Sequence, residues 1–567
     1  MKKKIVPIVI AILLIILTIA IGIGTGIMEK YSYSDERADL FAYFEISKQG
    51  ETAILLQDQL VEAKAIGENG TYYLPISFVK ESMNERFYYD YNEDLLLYSL
   101  PKETVTVALT DISYTKEENT VELGYPLVLR KDDTVYVAVD YIKVFTNFSY
   151  EAFEGPSRLQ IRTQWGEKQV AYIKKNTQVR LKGGVKSEIL FDVMVGDEVV
   201  VLETMENWSK VKTQNGIIGY VENKRLRDQQ TISETPVTDV AEPEYTSLKK
   251  DYKINMVWNL VTNATANGKV DALLDKTKGI NTISPTWFAL CDNQGNLSSL
   301  ADASYVSRMH ERGIEVWAMV DNFTNKDVST LEVISYTSKR TNFINNLMNQ
   351  VKTYGIDGIN LDFEQIPQEA ADDYIQLIRE LSIACRNQGI VFSIDNYVPT
   401  GYTEHYNRLE QGIVADYVVI MGYDEHWLGS DEPGSVASID FVENGIADTL
   451  SVVPKEKVIN ALPFYTILWG IGEKVTSSAM GMKRADEFLT EKGLSAQWDD
   501  TTCQNYVTYT EEGVTYHMWL EDERSIETKL NVMKNYDIGG VSGWRLGFEK
   551  EVIWDKIARQ QVPLSYP

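Results

Sequence analysis

Tyr354-Gly355-Ile356-Asp357-Gly358-Ile359-Asn360-Leu361-Asp362-Phe363-Glu364 decides how the chain is read. From Gly358 onward it alternates apolar and polar residues with a period of two, the signature of a strand. Successive strand side chains point to opposite faces, so Asn360, Asp362 and Glu364 share one face and Ile359, Leu361 and Phe363 the other. Neighbours in the polar row stand about 6–7 Å apart. Such a row, ending in two carboxyls, is costly to bury unless it is used. Two carboxyls so close cannot easily both ionise, so one pKa is expected to rise, which suits a general acid at neutral pH. An acidic cap on the next helix would account for Gln365–Glu369 but not for an inward-facing row.

Working outward, residues 249–567 alternate strand-like and helical runs. Strands are predicted at 254–261, 282–290, 314–322, 358–364, 391–397, 417–424, 458–465 and 539–546. Amphipathic helices are predicted between them, at 298–312, 338–354, 369–388 and 526–535. Eight β-then-α units are the count of an α/β TIM barrel, whose chemistry sits at the carboxyl ends of the strands. The strands, mostly toward those ends, carry Trp258, Trp287, Asp321, Glu364, Asn396, Tyr423, Asp424 and Trp544. Flat aromatic faces stack on the apolar faces of pyranose rings, so Trp544, Trp258, Trp287 and Trp427 are candidate sugar contacts; the alternative is that they are core. The surplus length falls between Tyr465 and Asp522, where Val507–Tyr509 and Val514–Tyr516 flank Glu511-Glu512-Gly513 and predict an inserted hairpin beside the site.

The row DGINLDFE resembles the Asp-Gly-x-Asp-x-Asp-x-Glu signature of glycoside hydrolase family 18, the chitinases and related β-N-acetylglucosaminidases. Met421-Gly422-Tyr423-Asp424 resembles that family's Met-x-Tyr-Asp at the end of strand six, and Trp544 stands on the last strand. The resemblance covers the whole large domain and is nearest to the spore-cortex and cell-wall lytic branch, which often has Asn where chitinases have the second Asp; here that residue is Asn360. It implies a retaining, substrate-assisted hydrolysis of β-1,4 bonds. Glu364 would protonate the glycosidic oxygen, and the sugar's own 2-acetamido carbonyl would attack the anomeric carbon to give an oxazolinium. Asp362 would orient the acetamido N–H, Tyr423 would donate to its oxygen, Asp357 would support the strand, and Trp544 would floor the sugar. Asp424, Met421 and Asn396 complete the implied substrate-binding set. A neutral amide at 360 cannot share a proton with Asp362, which implies a pH profile shifted from the chitinase type.

Upstream, residues 36–165 carry an internal echo. Tyr72–Val79, then Phe87–Asp90 and Leu95–Ser99, is followed by Val135–Ile142, then Phe148–Glu151 and Leu159–Arg162. Each copy predicts strand, short helix, strand, strand, a duplicated α+β unit that resembles the stalk domain at the N-terminus of copper amine oxidases. No His lies in it, so the resemblance implies no copper. Residues 168–228 hold short strand-like runs, among them Trp208-Ser209-Lys210-Val211 and Gly216-Ile217-Ile218-Gly219-Tyr220-Val221. They predict a small all-β barrel resembling a bacterial SH3-like domain, a family in which many members bind cell-wall peptides or glycans. Residues 229–248, rich in Thr, Ser, Pro and acids, predict a linker.

Lys2, Lys3 and Lys4 precede an uncharged apolar run from Ile5 to Met28. At about 1.5 Å per helical residue it reaches roughly 36 Å, enough to cross a bilayer core. It is expected to be a signal-anchor, residues 1–28, with the lysines cytoplasmic and everything after Glu29 extracellular; a cleaved signal and secretion is the alternative. In 567 residues, 55 Lys and Arg face 82 Asp and Glu, for a net charge of −27. That surface repels phosphate backbones, which argues against nucleic acid as a partner. Cys291, Cys385 and Cys503 are widely spaced and odd in number, which excludes a disulfide scaffold and proposes no zinc site. No cofactor or metal is expected. The function expected is a glycosidase on N-acetylated wall glycan such as peptidoglycan. The alternatives are a chitinase or an endo-β-N-acetylglucosaminidase on other glycans, and an inactive chitinase-like carbohydrate-binding protein, a class that usually lacks the final Glu present here as Glu364.

Overall fold

The computed structural model describes residues 10–19, 21 and 30–560. These form two compact units. The first runs to Phe87 and takes in Val107–Ser113 and Glu122–Glu242; the second holds Tyr88–Thr106, Tyr114–Val121 and the chain from Pro243.

In the first unit one seven-stranded sheet, which takes only the leading strand of the first copy, runs in the order Ser149–Phe153, Arg158–Arg162, Glu51–Leu56, Gln59–Glu68, Thr71–Pro75, Thr134–Ala138, Val128–Lys131. Each copy contributes a short helix, Ile76–Ser82 and Val139–Ile142. A second seven-stranded sheet contains Thr177–Arg180, Ile189–Val193, Glu198–Thr204, Trp208–Thr213 and Ile218–Glu222. Its edge strand Leu226–Ser233 pairs with Glu167–Ile173, so the expected linker 229–248 begins as sheet. That strand is exposed along most of its length, so its polar sequence carries no apolar alternation to mark it.

The second unit is built on a closed parallel barrel of eight strands: β1 (Ile254–Asn259), β2 (Thr282–Leu290), β3 (Glu315–Asp321), β4 (Gly358–Asp362), β5 (Val391–Tyr397), β6 (Tyr417–Met421), β7 (Val458–Pro463) and β8 (Gly540–Trp544). Neighbours pair in sequence from β2 to β7, β7 pairs β8, and β1 closes the ring between β8 and β2. Outward residues of β4, Ile359 and Leu361, lie in one buried layer with Phe343 and Leu347 of helix Thr337–Tyr354 and Leu377 and Ile378 of helix Ala371–Gln388. Both helices stop at a glycine in the left-handed region, Gly355 (φ 70°) and Gly389 (φ 70°), where a side chain would be strained. The interior is filled by Met256, Trp258, Trp317, Met319, Tyr417, Val419, Ile459 and Ala461. A Cβ on Gly358 would stand 2.7 Å from Cδ1 of Trp317, so this glycine lets β4 close over that indole.

After β7 the chain leaves the barrel for a five-stranded antiparallel sheet with helix Met482–Lys492. Its hairpin Gln504–Glu511 and Val514–Leu520 turns at Glu512 (φ 50°) and Gly513 (φ 79°), the pair of positive angles that a two-residue loop of matching twist needs. The span 36–165 is not one body: Phe87–Asp90, Leu95–Ser99 and Thr104–Ala108 form a separate three-stranded sheet, most of which belongs with the barrel.

Of the run Ile5–Met28, only residues 10–19 and 21 fall among those described. They are helical and exposed, and among the described residues no helix is long and apolar enough to cross a membrane. The transmembrane expectation therefore finds no support there; Lys2–Lys4 and the rest of the run lie outside the described residues.

Candidate active site

Asn360, Asp362 and Glu364 come to the carboxyl end of β4, as strand alternation requires. Asn360 is fully buried and every polar atom of its amide is used. Its Oδ1 accepts from Trp258 Nε1 (2.8 Å) and Ser284 Oγ (3.0 Å), and its Nδ2 donates to Ser393 Oγ (3.1 Å) and Asp395 Oδ1 (2.8 Å). Asp362 is 6% exposed and its Oδ1 is buried with no hydrogen-bond partner. Burial first, then the charges of Asp395, Glu364 and Asp321, hold its carboxyl well above the ordinary range.

Glu364 stands just past the end of β4. Asn322 grips its backbone twice, accepting from its N–H (2.8 Å) and donating to its carbonyl (2.9 Å). Tyr397 donates its hydroxyl to Glu364 Oε2 at 2.6 Å. Burial raises the Glu364 pKa, the Tyr397 hydrogen bond works against that rise, and the charges of Asp424 and Asp321 add to it. A carboxyl so placed holds its proton to higher pH than an exposed glutamate and can deliver it to a leaving group. Asp424 accepts from the Tyr465 hydroxyl and sits in the left-handed region at φ 60°. Tyr423 crosses Trp258 edge-on at 6.5 Å and Tyr465 at 6.3 Å, and Trp544 lies 5.8 Å from Trp258. Met421 is the last residue of β6.

Other predicted residues do not join this cluster. Asp357 sits at the opposite, amino end of β4, where it accepts from Val316 N and pairs with His310 Nε2, both at 2.8 Å. It tethers strands and touches nothing at the mouth. Asn396 points outward and exchanges hydrogen bonds with Gln411 (2.7 and 3.1 Å), because β5 presents Ser393, Asp395 and Tyr397 to the interior instead. Trp287 is buried in the helical layer, with its ring 5.0 Å from Tyr305 and its Nε1 on Asn267 Oδ1. The register between β2 and β3 shifts near Thr286 and Phe288, which breaks the simple alternation there. Trp258 is interior but 1% exposed, a floor beneath the site rather than a contact surface. Trp427 is 57% exposed on the loop after β6.

Asp395, Tyr397, Asn322 and Tyr465 were not singled out by the sequence. Asp395 and Tyr397 were findable from the alternation of β5, whose apolar members Phe392 and Ile394 mark the helix-facing side. Among the described residues no group of three His, Cys, Asp or Glu side chains is arranged to hold a metal ion.

Residues 261–549 match the family Glycosyl hydrolases family 18, and residues 175–227 match the Bacterial SH3 domain. The "Putative sporulation-specific glycosylase YdhD" of Bacillus subtilis (strain 168) is 28% identical over 276 residues, covering 47% of this chain and 66% of that protein. The cortical fragment-lytic enzyme of Bacillus anthracis is 23% identical over 313 residues, covering 50% of this chain and 70% of that protein. In fold, the chain is similar to the Bacillus cereus spore cortex-lytic enzyme SleL, with a TM-score of 0.50 at 20% identity over 65% of this chain and 90% of that one. With the family match extending over half the sequence and both acids at the barrel mouth, this chain belongs to the glycosyl hydrolases of family 18 and is a glycosidase.

Proposed function

We propose that the chain hydrolyses β-1,4 bonds of N-acetylated cell-wall glycan with retention, the sugar's acetamido group acting as nucleophile. The observation that carries this is that Asp362 is the last residue of β4 and Glu364 stands two residues beyond it. Carboxyls two residues apart at the end of one strand reach a sugar from the same side and do not flank it as an acid and an opposed nucleophile would. Glu364 protonates the leaving oxygen and the substrate's carbonyl oxygen closes on the anomeric carbon. Asp362 holds the acetamido N–H and offsets the positive charge of the oxazolinium. Tyr423 donates to the acetamido oxygen, Trp544 floors the ring, and water activated by Glu364 opens the intermediate.

Peptidoglycan is the favoured glycan. The cortex-lytic names of the relatives and the SH3 match at 175–227 support it. In this reading the part of residues 36–165 that lies outside the barrel unit is the stalk-like spacer that the resemblance to copper amine oxidases implies. The SH3-like module touches the wall, and the apolar run before Glu29 ties an extracellular enzyme to the membrane.

The test is to incubate the protein with purified peptidoglycan, with chitin oligomers, and with both after chemical de-N-acetylation, and to identify new reducing ends by mass spectrometry. N-acetylglucosamine ends from acetylated peptidoglycan are expected, with no cleavage once the acetyl groups are gone. Equal cleavage of the deacetylated glycans would overturn the reading, and products from chitin alone would move the substrate class. Trp544→Ala is expected to lower kcat/KM at least about tenfold on the acetylated glycan, the size of a lost aromatic face plus its buried area; an unchanged kcat/KM removes Trp544 from the floor.

A further inference from the structure

Asp395 is a buried acidic side chain of the barrel that neither the family signature nor the mechanism above uses. Its position is fixed by register. β4 and β5 pair in parallel through Asn360 with Ser393 and Leu361 with Ile394. The next pair of positions is Asp362 and Asp395, facing each other on strands about 4.8 Å apart. Both point into the barrel. Asp395 is 2% exposed, and Asn360 donates to its Oδ1 at 2.8 Å. Its other oxygen, Oδ2, is buried without a hydrogen-bond partner, and so is Oδ1 of Asp362. Two facing carboxyls, each with one buried oxygen that no protein group answers, cost several kcal/mol if both are ionised and little if they hold one proton together.

The groups around the pair do not neutralise it. Asp321 of β3 and Glu364 beyond β4 act on it as further acids. Tyr423 after β6, Tyr374 of helix Ala371–Gln388, and Tyr406 are phenols whose own ionisation is pushed up by burial first. Arg408, which acts on Tyr374 and Tyr406, spends its guanidinium on the carbonyl oxygens of Tyr397 and Thr403. Asn360 cannot hold the extra proton, since both halves of its amide are committed.

We propose that Asp395 is the positioning residue that shares one proton with Asp362, filling the place that an acid at position 360 would otherwise take. This rests on the reading of Asp362 as the group that holds the acetamido N–H. Before substrate enters, the pair carries one proton and one negative charge. When the N–H arrives, the proton moves from Oδ1 of Asp362 to Oδ2 of Asp395. No other bond changes, and the full negative charge faces the developing oxazolinium.

The test compares the full-length wild type, Asp395→Asn and the swap Asn360→Asp/Asp395→Asn. Each retains donors and acceptors for the hydrogen bonds now made by residues 360 and 395, so a purely structural role predicts no difference among them. Asp395→Asn is expected to lower kcat on acetylated glycan about 10–100-fold, and the swap to recover most of that loss. A second readout needs no substrate. A carboxyl whose pKa is raised in the folded state stabilises below its unfolded value of 3.8 and loses that contribution as pH rises through its folded value. The Tm of Asp395→Asn minus that of the wild type is therefore expected to climb steadily between pH 4 and about 8. Wild-type kcat in Asp395→Asn, a swap no better than the single variant, or a Tm difference flat with pH would each overturn the proposal. If the wild type itself fails to cleave acetylated glycan, the functional reading falls, and the Tm series still decides whether the proton is shared.

Discussion

Glu364→Gln leaves a folded protein whose turnover of acetylated glycan falls by about 10²–10⁴-fold or more, the size of a removed acid–base group. The amide keeps the volume and can still accept from the Tyr397 hydroxyl, and the Asn322 clamp acts on the backbone, so neither contact is lost. What disappears is the proton. In the wild type, burial and the acids Asp424 and Asp321 raise this carboxyl above its ordinary value of 4.5, so the protonated, competent form persists toward neutral pH and activity declines only as pH rises through the raised value. The same shift has a stability consequence of the same sign. The folded wild type binds this proton more tightly than the unfolded chain, so it loses stability as pH rises from 4.5 upward, and Glu364→Gln does not. Burst-free turnover assays across pH 4–9, paired with melting curves, check both. Turnover within a factor of about three of wild type would remove Glu364 from the acid role.

The site was legible from sequence where one strand carried it. Asn360, Asp362 and Glu364 follow from a period of two, and Ile359 and Leu361 find the helical layer for the same reason. Legibility failed where a second strand had to be read against the first. In Val391–Tyr397 polar residues occupy adjacent positions, so choosing Asp395 over Asn396 depended on noticing that Phe392 and Ile394 must face the helices. In β2 a register shift defeats alternation altogether, and Trp287 turns into the outer layer. Asn322 lies just after β3 and acts by gripping a backbone 42 positions away, which no local pattern reports.

The same limit hid the seam between the three-stranded sheet and the barrel, and there the second large effect is expected. Arg340 is fully buried in helix Thr337–Tyr354. Its guanidinium makes a bidentate pair with Glu380 (2.9 and 3.1 Å), donates to the Ile334 carbonyl (2.7 Å), and lies 5.0 Å from the ring centre of Tyr88, whose hydroxyl bonds Asp373. Two positions further on, Asp90 accepts from Thr337 N and Oγ1 at 2.7 Å each, and Glu93 from Ser338 N at 2.8 Å. The helix has no local side-chain cap, so acids from about 250 residues upstream satisfy its first N–H groups and favour its positive end. Arg340→Met is expected to destabilise the barrel unit by about 3–5 kcal/mol, because Glu380, whose side chain is only 11% exposed, loses the cation that pairs with it. For a unit of this size that lowers Tm by roughly 4–7 °C. Arg340→Met/Glu380→Leu, which removes both charges, is expected to recover more than half of the loss, since an apolar pair costs less than an orphaned charge. A fragment beginning at Pro243 lacks Tyr88, Asp90 and Glu93 together and is expected to melt lower than the intact chain. A Tm for Arg340→Met within about 2 °C of wild type would show that the helix and its upstream cap hold without the buried pair.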